Sequence, residues 1–296
     1  MKYVLRTTWQ IITYPVRVTF SIIKTILTPF LRLFQGLREF FGEEPEDVPI
    51  GDSIQRAAEN PSDILIHLDA LRRHLMRSVI VLTVACAIAF TFVTPIMDFL
   101  AEPIGGIDSL QAIEVTEPVG VVMRVTLLSG FSISIPYISL ELLLFAAPGL
   151  SRKARFIGLF AIPLVFIFFV SGMAFAYFFI LPTALPVLLN FMGIPTLPRP
   201  SSYLSFVTGL LFWIGISFEA PLLSYVLSAM GILKAEMLRN QWRIAIVIMA
   251  IFAAAVTPTV DPINMMLVLI PLVVLYLVSI IMAYIAQGRR LLQRSA

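Results

Sequence analysis

Cysteine and histidine are nearly missing from the 296-residue chain, which has one Cys, at position 86, and two His, at 67 and 74. A single cysteine permits neither an intrachain disulfide nor a thiolate cluster, and Cys86 lies inside an apolar run. Neither histidine belongs to an HExxH or comparable ligand spacing, so a metal centre lacks its ligand set and metalloenzyme chemistry is set aside. Charge is scarce as well. Asp, Glu, Lys and Arg make up 13% of the residues against 59% hydrophobic ones, with a mean hydropathy of +0.94, far from the composition of a soluble domain. The chain reads as an integral membrane protein, with no cofactor and no nucleic-acid partner expected. A length of this order leaves room for about six spans of roughly 20 residues and little else.

Apolar runs occupy roughly 76–98, 118–147, 156–189, 203–230, 243–256 and 263–285. Lys and Arg gather at Arg72, Arg73 and Arg77, at Arg152, Lys153 and Arg155, at Lys234, Arg239 and Arg243, and at Arg289, Arg290 and Arg294. The alternate loops are acidic or nearly free of charge: 98–117 holds Asp98, Glu102, Asp108, Glu114 and Glu117 with no Lys or Arg, 190–202 only Arg199, and 257–262 only Asp261. The positive-inside bias therefore predicts an all-α protein of six transmembrane helices with both termini cytoplasmic. The fifth run is short: at ~1.5 Å per residue its apolar part covers roughly 20 Å of a ~30 Å hydrocarbon core, which predicts local thinning of the bilayer. Pro136, Pro163, Pro182, Pro186 and Pro221 fall within or beside spans, where each removes a backbone donor and favours kinked helices around a concave face.

Outside the spans, residues 1–41 combine Phe, Ile, Leu and Val with Arg6, Arg17, Lys24, Arg32 and Arg38. Arg17, Lys24 and Arg32 are spaced at close to two helical turns, so they share one face, as in a helix lying on an anionic leaflet. No uninterrupted apolar segment there leads to a small-residue cleavage site, so a signal peptide is not expected. An acidic, proline-containing linker and approach to the first span follows over 42–66, the membrane domain covers 67–288, and a basic cytoplasmic tail closes the chain over 289–296. Inside the fourth run stands Glu219, the only ionisable side chain other than tyrosines from Tyr203 to Met230. A carboxylate facing lipid is costly, so Glu219 is expected to face a lumen, water or protein.

Several segments in series resemble the twin-arginine translocation receptor family, TatC: "HLDALRRHL" (67–75), "LFAAPGLSRKAR" (144–155), "GMAFAYFFILP" (172–182), "SYLSFV" (202–207), "FEAPL" (218–222), "MGIL" (230–233) and "TPTVDPINMM" (257–266). The resemblance covers roughly residues 64 to 288. It implies a receptor core that is not an enzyme. With the single-span proteins TatA and TatB, and with self-association in the complex, such a core recognises signal peptides bearing paired arginines and passes folded proteins across the membrane on the proton-motive force. The implied signal-binding surface comprises His67, Leu68, Asp69, Leu71 and Arg72 from the first motif and Glu141, Phe145, Pro148, Leu150 and Arg152 from the second. Glu219 matches the family's intramembrane acid. Thr257, Asp261 and Asn264 match a polar patch that in the family receives TatA or TatB helices, although an Asn at the start of an apolar helix also suits a capping role.

This sequence departs from the family where recognition matters most. The glutamates of the first motif and of the loop after the second span's Pro-Gly-Leu are Ala70 and Ala154 here, and alanine offers no carboxylate to a guanidinium. The nearest acids are Asp69, turned by about 100° from the motif position on a helix and able to pair with Arg72 or Arg73, and Glu141 in the second span. The Tyr and Trp that flank the Glu141 position in the family are Leu140 and Leu143. Two alternatives stay open: a divergent paralogue that contributes a docking face beside a complete TatC, and a proton-coupled secondary transporter using Glu219, against which stands the lack of an internal repeat. An intramembrane hydrolase finds no GxSxG motif.

Overall fold

The computed structural model describes residues 61–150, 152–190, 197–257 and 262–295; the side chains of 61–66, 149, 262–264 and 289–295 stand outside that description. The 1–41 arm, most of the 42–66 linker and Asp261 therefore lie outside the described residues. Those described are helical, with no strand.

Helix α1 (Pro61–Thr91) stops where it does because Pro95 has no N–H to offer the Thr91 carbonyl four residues back. The chain turns at Phe92, whose amide bonds Ala89 O at 3.0 Å, and α2 (Val93–Ala101) resumes. Two 3₁₀ turns, Glu102–Ile104 and Ile107–Ser109, are joined through Gly105 and Gly106 at φ 92° and 97°, a left-handed conformation that disfavours any Cβ. Helix α3 (Glu117–Ala146) follows, then α4 (Arg152–Phe175), which continues through a π-helical turn at Ala176–Ile180 into α5 (Leu181–Leu189). That wider turn precedes Pro182, which lacks an N–H for the ordinary ladder. Helix α6 (Pro200–Met230) ends at Gly231, in the left-handed region at φ 82°, with its amide capping Leu227 and Ser228. The short α7 (Ala235–Asn240), α8 (Trp242–Val256) and α9 (Pro262–Ser295) complete the order.

Among the described residues, five helical stretches are long and apolar enough to cross a membrane: 67–91, α3, α4 with α5, α6, and 265–288. The sixth apolar helix, α8, has only 15 residues against the ~20 a span needs, as short as the sequence predicts. Helix α6 is the hub, packing on α3, α4 and α9, while α1 packs on α3 and α8 on α9. Small residues set the closest approach: a Cβ on Gly172 of α4 would stand 2.9 Å from Gly215 Cα on α6. Val125, Leu181, Leu204, Leu210 and Ile214 are fully buried in the core these helices share. The Tyr177 and Tyr203 hydroxyls donate to the carbonyls of Phe99 (2.6 Å) and Leu100 (2.8 Å), pinning the last turn of α2 to the bundle.

Candidate functional site

The two motifs read as a signal-binding surface meet at one end of the bundle, where the first turns of α1 that carry described side chains pack against the last turns of α3. The His67 ring lies on Phe145, centroids 4.5 Å apart and planes inclined by 31°, and His74 meets the same ring edge-on at 6.1 Å. Beneath that stack, Glu141 is buried, with 1% of its surface exposed. Its carboxylate accepts from the Tyr137 hydroxyl at 2.6 Å and meets His74 Nδ1 at 2.5 Å, while Arg77 stands 3.7 Å away. Tyr137 lies one turn back on the same helix; His74 and Arg77 arrive from α1. The acid thus knits the helices together, with one close partner from inside the protein on each oxygen.

Glu141, one of the two acids nearest to the missing ones in the sequence, is thus already engaged by side chains of the bundle. Asp69, by contrast, is exposed, and its carboxylate pairs with Arg73 at 2.8 Å, the i,i+4 geometry read from the sequence. An exposed pair of that kind contributes about 0.3–0.5 kcal/mol and exchanges readily. Leu68, Leu71 and Arg72 are exposed beside it, Phe145 is half-buried, and Pro148 and Arg152 are exposed on the adjoining loop. Leu150 sits beneath that surface, buried. Arg155, read from the sequence only as a topology charge, is buried too: its Nε donates to the carbonyls of Ala147 (2.9 Å) and Leu150 (3.1 Å) and ties the loop to α4. Ala154 next to it is also buried, and Ala70 half-buried.

Within the membrane, Glu219 lies on the face of α6 that Gly215 presents to α4, one turn further on, and is buried. Neither of its oxygens makes a well-formed hydrogen bond; the main chain of Phe169 is the polar group it faces. It faces protein, as the cost of a lipid-facing acid requires. Thr257 is buried at the end of α8, its hydroxyl donating to Ala253 O at 3.0 Å, and it borders a small void with Leu188, Phe206 and Leu267. Asn264 begins α9 with its side chain outside the described residues, as is all of Asp261.

At the opposite end, Glu117 at the start of α3 is held by Arg199 and by Ser201 Oγ at 3.2 Å, and its second oxygen takes the Ile113 amide at 3.3 Å. Glu114 lies 3.5 Å from the same guanidinium. The Glu117 carboxylate pushes Arg199 still further above its ordinary pKa. Sequence reading used these residues only as loop charges; a contact between positions 82 apart has no local signature.

Among the described residues the chain is a helical membrane protein with five spanning stretches and one shorter apolar helix. Comparison with known proteins gives the family. Residues 66–271 match the family described as Sec-independent protein translocase protein (TatC). The chain is 33% identical over 228 residues to the "Sec-independent protein translocase protein TatC" of Carboxydothermus hydrogenoformans, covering 76% of this chain and 94% of that one. It is 32% identical over 234 residues to the chloroplastic "TATC" of Arabidopsis thaliana, covering 75% and 67%. A crystal structure titled "Twin Arginine Translocase Receptor- TatC" superposes with a TM-score of 0.65 at 31% identity, over 74% of this chain and 99% of that one. The chain belongs to the TatC family, and is a membrane component of the Sec-independent protein translocase.

Proposed function

We propose that this chain, the core receptor subunit of its translocase, binds paired-arginine signal peptides on the surface that α1 and the end of α3 build together. The observation that carries the reading is a histidine-aromatic platform, His67 on Phe145, at the same end of the bundle as the exposed Asp69 carboxylate, two residues further along α1. Asp69 exchanges Arg73 for a guanidinium of the signal at little cost, because both partners of the existing pair are solvated. Leu68, Leu71 and Pro148 receive the apolar part of the signal, and Arg72 and Arg152 border the same surface. Glu141 is a positioning residue here: it holds His74 and, through it, the edge of Phe145.

On the same reading the signal-binding end is cytoplasmic, as are both termini, in the cell membrane. TatA and TatB helices dock beside the short α8 and the Thr257–Asn264 turn, and Glu219 supports transport driven by the proton-motive force. The arm over 1–41 rests on anionic lipid, and copies of the chain associate in the assembled complex. The buried, engaged state of Glu141 and the alanines at 70 and 154 favour one second reading, in which the chain docks partners beside a glutamate-bearing paralogue that reads the signal.

The test is binding of a synthetic twin-arginine peptide to the purified full-length chain. Asp69→Asn should weaken it about tenfold or more, the loss of one charge-assisted contact. A twin-lysine peptide should bind more weakly than the twin-arginine one and lose less in that variant, because lysine lacks the bidentate fork. Binding that ignores both changes transfers recognition to the paralogue.

A further inference from the structure

Seven residues into α3, Arg124 places a guanidinium inside a membrane-spanning helix. It is exposed, and among the described residues none hydrogen-bonds or ion-pairs with it. Helical rise sets its backbone about 10 Å below Glu117, and helical side chains lean toward the N-terminus, so the guanidinium extends toward the end at which α3 begins. Helix α6 starts at the same end, since Arg199 just before it grips Glu117. From that depth the side chain reaches the interfacial zone in which lipid phosphates reside. The site calls for an anion.

What surrounds Arg124 narrows the choice. It lines a cavity of about 500 Å³ between α1, α3 and α6, walled by Leu82, Leu127, Phe131 and Phe212. The cavity's two hydroxyls are already engaged within α6: Ser205 donates to Ser201 O, and Thr208 to Leu204 O at 2.6 Å. One end of the cavity is cationic and the rest is apolar. A ligand that fits both is an anionic amphiphile.

We infer that this cavity binds a phospholipid from the leaflet on the Glu117 side, with its phosphate on Arg124 and an acyl chain along the Leu82–Phe212 wall. A lipid suits the site better than an acidic side chain on a partner helix. Its phosphate already resides at the interface with its chains in hydrocarbon, whereas a helix carboxylate would first have to be stripped of water. The guanidinium fork matches two phosphate oxygens. The site is independent of the signal-binding surface, at the other end of the bundle.

Gly209 provides a clean second handle. It lines the cavity, and a Cβ built there meets nothing within 4 Å, so a side chain begun at this position enters open space. Native mass spectrometry of the full-length chain, titrated with phosphatidylglycerol or with diacylglycerol of the same chains, reads occupancy directly. The parent should retain one phosphatidylglycerol in preference to diacylglycerol. Arg124→Gln should weaken retention about tenfold or more, with Arg124→Lys in between, because a charge-assisted contact is lost or reduced to one point charge. Gly209→Phe should weaken it too, with the thermal midpoint unchanged. Phosphatidylglycerol retained equally by Arg124→Gln and Gly209→Phe overturns the proposal, and so does diacylglycerol bound as tightly as phosphatidylglycerol.

Discussion

Replacing Glu141 with leucine should destabilise the protein far more than replacing any exposed acid at the same end. The carboxylate accepts from Tyr137 at 2.6 Å, meets His74 at 2.5 Å and stands 3.7 Å from Arg77, with 1% of its surface exposed. Leucine fills similar volume but leaves a phenol, an imidazole and a guanidinium without their shared acceptor. Removing a buried acceptor while its part-exposed donors remain costs about 1–3 kcal/mol. Glutamine keeps one oxygen acceptor, so Glu141→Gln should cost about 1–2 kcal/mol, and Tyr137→Phe, which removes only a donor, about 1 kcal/mol. The pair Glu141→Gln and Tyr137→Phe should be non-additive, since both change one hydrogen-bonded cluster. Thermal unfolding of the purified chain in a non-ionic detergent should rank the midpoints parent, Tyr137→Phe, Glu141→Gln, Glu141→Leu, from high to low. Asp69→Asn, losing only an exposed i,i+4 pair, should melt with the parent. A Glu141→Leu variant as stable as the parent would refute the shared-acceptor account and return Glu141 to the list of acids open to a signal.

Three further outcomes follow from other parts of the bundle. Glu219→Leu should keep or raise the melting midpoint, because it removes a buried carboxylate without a well-formed partner, yet lose most transport, while Glu219→Gln keeps some; equal transport in all three would make the acid dispensable. Gly172→Val should cost about 1–3 kcal/mol by forcing α4 off α6, since its Cβ would meet Phe218 Cγ at 2.8 Å and Gly215 Cα at 2.9 Å; a melting midpoint at the parent's value contradicts that packing. A cysteine placed at Lys153 should resist an impermeant thiol reagent added to whole cells, and its labelling from outside would reverse the orientation drawn from the Lys and Arg bias.

What was legible in the sequence was whatever repeats along the chain. Hydropathy located the membrane-crossing stretches and the short helix now seen as Trp242–Val256, and the ordered motifs pointed to the family. The break at Phe92 was missed although Pro95 announced it, because a long apolar run masks the loss of one donor. Arg124 is likewise masked by the apolar run 118–147 around it, although a charge inside a span points to a site in a cation as it does in Glu219. The state of Glu141 was half visible. Tyr137, at i−4, was within reach of a helical reading, but His74 lies 67 positions away and only the α1–α3 packing brings it in. Arg155 and Arg199 counted as loop charges for topology, and their hydrogen bonds to loop carbonyls and to Glu117 depend on how the chain returns on itself.

Site-specific photocrosslinking from Leu71 to a twin-arginine signal, in membranes containing the assembled translocase, tests the central claim most directly. The account predicts a crosslink from the parent that falls when the signal carries paired lysines and when Asp69 is asparagine, with Glu141→Gln crosslinking as the parent does wherever it remains folded. A signal that never crosslinks at Leu71, while it crosslinks to a glutamate-bearing paralogue in the same complex, would contradict it.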